Sequence, residues 1–318
     1  MNLYRSVRAV TGASDAVGVV DWEGVAEAAK AATDAGDLSL TDAERAGYAA
    51  DVRDARDRVR AATGVAFDLP DAVEIQDRHH WIDANVTTFR RVLGPLDDHG
   101  PAPALFAGPS RVVNTATLAV GLGFLARHVL GQYDPRPFGD GDHGLYVVHP
   151  NLVGSAATLG VERERFRRWI AFHEVAHAAE FAAAPWLADR VESLTERSVE
   201  ALAEGQMDRA ALAELDTTMT AVEGYAELVM DRAFDGETAD LRARLDARRN
   251  AGGPVTRLLR RALGLGVKRE QYERGARFFR AVADARGLEA ASRVWDRPEH
   301  LPSDAELDDP AQWLARVS

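Results

Sequence analysis

His173, Glu174 and His177 form a His-Glu-x-x-His run inside the stretch Trp169-Ile170-Ala171-Phe172-His173-Glu174-Val175-Ala176-His177-Ala178-Ala179-Glu180-Phe181, which has helical character. On an α-helix, residues four apart are separated by roughly 40° around the axis and about 6 Å along it. Both imidazoles then project from one face and can reach a single ion. Glu174 falls to the side of that face, where its carboxylate can take a proton from a metal-activated water without being a ligand itself. The chemistry available to this spacing is hydrolysis, with zinc as cofactor and Glu174 as general base. Ala176, Ala178 and Ala179 are small enough to let other groups approach.

A catalytic zinc takes three protein ligands and keeps one position for water, so a third side chain is required. The chain has no cysteine, which leaves His, Asp or Glu and excludes disulfides, iron–sulfur clusters and cysteine nucleophiles. Metzincins place a glycine three residues and a histidine or aspartate six residues after the second histidine, whereas Glu180 and Ala183 stand there. A glutamate from a later helix is the remaining source. Glu223, Glu227 and Asp231 are spaced four apart, a row of like charges on one helix face that a nearby cation would relieve. Glu223 is the expected ligand and Glu227 the alternative. The pair resembles the Glu-x-x-x-Asp arrangement of thermolysin-like gluzincins, in which the first carboxylate binds zinc and the second orients a histidine. Gly224 allows two helices to pack closely beside Glu223.

An oxyanion would need a further donor, and Tyr225, Tyr272 and His149 are the candidates. His149 ends a short β-type run just before the motif helix, a place where substrate can lie along an edge strand. His79 and His80 are adjacent, so they point to different faces of a helix and do not share an ion.

The elements that must position these groups are mostly helical. Thr41 and Glu44 make a capping-box pattern, followed by helical periodicity to Thr63 and a stop at Gly64. Further helices are expected over Ile75 to Leu93, Val112 to Leu130, Val161 to Ala184, Ala188 to Ala203, Asp208 to Phe234, Pro254 to Leu263 and Arg269 to Ala285. Leu145 to His149 is the one clear strand, and the tail after Pro298 reads as irregular. The fold class is therefore mainly α with a small β element. The Pro-, Gly- and Asp-rich segment Asp134 to Gly144 is the candidate boundary between a helical N-terminal subdomain, 1–138, and a catalytic region, 139–318, unless the two form one continuous domain.

The chain has 318 residues, 46% of them hydrophobic and 28% charged, enough to bury a sizeable core. Its formal net charge of −12 repels phosphate backbones and anionic lipid surfaces, so neither nucleic acid nor a membrane is expected as partner. Val112 to Leu130 contains Asn114, Arg127 and His128 and reads as a buried helix, not a membrane span. Residues 1–20 show no secretory signal, and a cytoplasmic location is expected. Lysine occurs only at Lys30 and Lys268.

The chain resembles a family of zincin-like metallohydrolases of actinobacteria and archaea described as zinc-dependent metalloproteases, one branch of which is associated with biosynthesis of the deazaflavin coenzyme. The resemblance rests on Asp77-Arg78 with Trp81 and Asn85, on His149-Pro150-Asn151-Leu152, on Phe166-Arg167-Arg168-Trp169 leading into the motif, and on Phe181, Pro185-Trp186 and Glu223-Gly224-Tyr225-Ala226-Glu227. It continues through Gln271-Tyr272, Gly275, Phe278, Trp295, Pro298-Glu299, Leu301-Pro302, Asp309-Pro310 and Trp313. It covers most of residues 75–318. It implies a mostly helical zincin-like metalloprotease fold, with the motif helix and a later glutamate helix, and a bound zinc; it does not supply a substrate, and a peptide or small amide is expected from the hydrolytic chemistry of the motif. Glu180 stands where many relatives carry an uncharged amide.

Overall fold

A computed structural model describes residues 20–93, 111–135, 143–204, 206–234, 241, 244 and 267–317. Helices dominate it. The first is α1 (Trp22–Ala32), whose N-cap Asp21 accepts from the Gly24 amide. It is followed by α2 (Asp42–Thr63), which starts on the expected Thr41–Glu44 capping box and stops at Gly64 in the left-handed conformation, φ 70°. Then come α3 (Arg78–Leu93) and α4 (Arg111–Ala126). Together α1, α3 and α4 enclose a small apolar cluster around Val25, Trp81, Ile82 and Leu122. No helix among the described residues is long and apolar enough to cross a membrane.

Among the described residues, three strands stand where one was expected. They are β1 (Glu74–Gln76), β2 (Gly131–Asp134) and β3 (Gly144–Val148), in the order β1-β3-β2. β3 is parallel to β1 and antiparallel to β2. β1 occupies the start of the segment read as helix from Ile75. β2 reads Gly-Gln-Tyr-Asp, too short and too polar for an alternating pattern to show. Because β3 is central, His149 does not end an edge strand; it opens α5 (His149–Leu159), with Pro150 in the first turn. A cut at residue 138 would run through this sheet, since β1 and β2 lie before it and β3 after it.

The second half supplies α6 (Arg163–Ala183), α7 (Trp186–Ala203), α8 (Arg209–Ala233), α9 (Val267–Arg286) and α10 (Leu288–Ser292). The helix expected over Pro254 to Leu263 lies outside the described residues. The tail is not irregular: two 3-10 turns lead into α11 (Asp304–Asp308) and α12 (Pro310–Val317). Ser303 and Glu306 form a second capping box, and Arg274 of α9 bonds Asp304 and Asp308. Trp313 is buried and donates to the His300 carbonyl, 2.7 Å. Prolines hid these short helices from periodicity.

The main core surrounds α6, which packs against α2, α8 and β2. Trp169, Ile170, Phe172, Val175, Ala176, Ala178 and Ala179 are buried, so α6 is covered on nearly every side. α8 in turn lies on α9. At their crossing a Cβ on Gly224 would overlap the Gly275 backbone, and one on Gly275 would overlap the Thr220 carbonyl oxygen. Two glycines therefore set the depth at which α8, and Glu223 with it, is seated.

Candidate metal centre

His173 and His177 leave α6 on the same face, one turn apart. Their Nε2 atoms are 3.3 Å apart, and Glu223 Oε2 from α8 lies 3.9 Å from the first and 3.8 Å from the second. The point equidistant from these three atoms is about 2.1 Å from each, the length of a zinc–imidazole or zinc–carboxylate bond. Glu223 is buried, and its Oε2 accepts no hydrogen bond. A buried carboxylate oxygen with no donor is costly unless a cation faces it. His173, His177 and Glu223 thus fit a divalent metal ion, and Glu227 lies outside the group of ligand atoms within 4.8 Å of one another.

Two further carboxylates frame the centre. Glu174 is buried, and its Oε2 accepts the Tyr133 amide of β2 at 2.9 Å. Leu130 accepts from Val148 of β3 through its carbonyl, so with strand alternation the Tyr133 N–H faces away from β3 and towards α6. Gly131 makes this approach possible: a Cβ there would come within 2.8 Å of Glu174 Oε1. Glu174 is therefore held by a strand that the sequence pattern did not reveal.

Glu180, fully buried, meets His177 Nδ1 at 2.8 Å through Oε2. Burial works against a charge on either partner. The Glu180 hydrogen bond and carboxylate nevertheless raise the proton affinity of His177, with Glu223 and Glu174 adding to the effect. A proton held on Nδ1 leaves Nε2 as the free lone pair, the tautomer a ligand needs. Glu180 thus orients His177, a role that the i,i+3 spacing on one helix could have indicated. His173 is flanked by Trp169, stacked at 6.2 Å with 11° between the planes.

Two of the expected oxyanion donors, Tyr225 and His149, are engaged elsewhere. Tyr225 is buried between Phe279 and Trp295 with its hydroxyl 2.7 Å from Ser292 Oγ, so it serves packing. His149 Nδ1 lies 2.8 Å from the Tyr48 hydroxyl in the α2–α5 contact, not among the metal-facing groups. Tyr272 falls in α9, and its side chain lies outside the described residues.

A model of the zincin-like metallopeptidase family matches residues 20–208 and 191–314. The chain belongs to this family. The family implies a metal, and two histidines from α6 with one glutamate from α8 form a group that could hold one. A solved structure from Chloroflexus aurantiacus, described as a candidate hydrolase with a novel fold, is similar to this zincin-like chain at 28% identity and a TM-score of 0.74. The match covers 100% of this chain and 98% of that one. A search of curated proteins finds no match.

Proposed function

We propose that the protein is a zinc-dependent hydrolase that cleaves an amide bond, with a peptide as its substrate. The observation that carries this reading is the convergence of His173, His177 and Glu223 beside a separately anchored Glu174. His173, His177 and Glu223 would hold the zinc, which when bound would supply a Lewis acid and an activated water near neutral pH. Glu174 accepts the proton of the attacking water and returns it to the leaving nitrogen. The Tyr133 amide orients the carboxylate for both transfers. Glu180 keeps His177 in the ligand tautomer. A net charge of −12 supports a peptide or small amide over nucleic acid or an anionic membrane as partner.

The test is hydrolysis of casein and of a panel of small amides by zinc-loaded protein, with Glu174→Gln as control. Cleavage of casein that Glu174→Gln abolishes is the expected result. Turnover of small amides alone would make the protein a metabolite amidohydrolase, and turnover of neither would overturn the hydrolase reading.

A further inference from the structure

A cleft of about 290 Å³ opens one helical turn from the metal centre. Tyr133, Phe181, Pro185 and Ala188 line it together with Pro135 and Ala182, as do His143 and Asp68. Phe181 follows His173 and His177 at the same four-residue interval, so all three share a face of α6, with Phe181 about 6 Å beyond His177. Tyr133 joins the cleft to the chemistry from the other side. Its amide holds Glu174 while its ring forms the wall.

Apart from His143 and Asp68 the lining is two aromatic rings, two prolines and two alanines. Tyr133 and Phe181 lie 6.0 Å apart at 43°, and Tyr133 meets His143 edge-on at 5.9 Å and 77°, with 3.2 Å between its hydroxyl and Nδ1. A guest ring finds tilted and edge-to-face partners there. The one carboxylate in the lining, Asp68, is paired with Arg60 at 3.2 Å, so it does not mark the cleft for a cation. The cleft is small for a whole ligand and sized for one side chain.

Resting on the reading of the centre as a zinc hydrolase, we propose that this cleft is the subsite for a large apolar, preferably aromatic, side chain next to the scissile amide. Tyr133 and Phe181 are its specificity-determining residues.

The test uses binding, not turnover. Two hydroxamates that differ only in carrying a benzyl or a methyl side chain are titrated into zinc-loaded protein by calorimetry. The hydroxamate addresses the metal and the side chain addresses the cleft. The benzyl compound should bind at least about 10-fold more tightly. Ala188→Phe, which fills the cleft, and Phe181→Ala, which removes a wall, should each bring the ratio close to one, with zinc content measured to confirm an intact centre. Equal affinities in the unaltered protein, or a benzyl preference that survives Ala188→Phe, would overturn the subsite and leave the zinc reading standing. Failure of both compounds to bind zinc-loaded protein would overturn the two together.

Discussion

Glu180 and His177 sit three residues apart on one helix, with a carboxylate oxygen 2.8 Å from Nδ1 and the glutamate fully enclosed. A ligand histidine held in this way has one tautomer and one ring orientation before any metal arrives.

Glu180→Gln keeps an acceptor but removes the charge, and should weaken zinc binding about 10-fold to 100-fold in competition with a chelator. Glu223→Gln should weaken it far more, because it removes a ligand. Glu227→Gln should change it little. A larger loss from Glu227→Gln than from Glu223→Gln would show that the wrong carboxylate has been assigned to the metal.

Glu174→Gln should retain zinc and fold while losing hydrolysis. The side chains are nearly isosteric, and the amide oxygen can still accept from Tyr133, so packing against β2 is preserved. What disappears is the group that accepts the proton. Undiminished turnover by this variant would remove Glu174 from the mechanism.

Gly224→Ala places a methyl group into the Gly275 backbone. Overpacking of this kind costs about 1–3 kcal/mol, and here the obstacle is main chain, so the upper end is expected in urea unfolding. Because Glu223 precedes the crossing, zinc affinity should fall as well. A stable variant with full zinc affinity would mean that the crossing does not position Glu223.

Arg316 bonds the Glu306 carboxylate and holds it below the ordinary glutamate value of 4.5, with burial opposing and the Ser303 bonds assisting. A lowered folded-state pKa contributes stability that is present above the unfolded value and lost as pH falls through the folded one. Glu306→Gln should therefore destabilise by about 1 kcal/mol at neutral pH, with the difference shrinking below about pH 4.5. A constant difference across that range would assign the effect to shape instead of charge.

The motif helix, its boundaries and two of three ligands were legible because a 3.6-residue period places His173 and His177 together without tertiary information. Glu223 followed from counting ligands. Glu180 was in view but read as a departure from relatives, since burial, which gives it its role, is not written in the sequence. β2 was illegible for a different reason: its four residues matter through the direction of one amide and the missing side chain of Gly131, and neither produces a hydrophobic pattern. Tyr225 misled because a tyrosine beside a ligand glutamate points to the opposite side of α8, where Ser292 receives it.

α6 is walled in by core on nearly every side, while the cleft is bordered by one short strand and the partly exposed residues that follow the motif. Divergence can therefore act on the two at different rates. Changes at His143 or Ala188 alter what lines the cleft without repacking the interior, whereas almost any change between Trp169 and Glu180 disturbs it. Selection for a new substrate would be expected to write its record around that cleft, leaving the motif helix as the invariant chassis on which successive preferences are built.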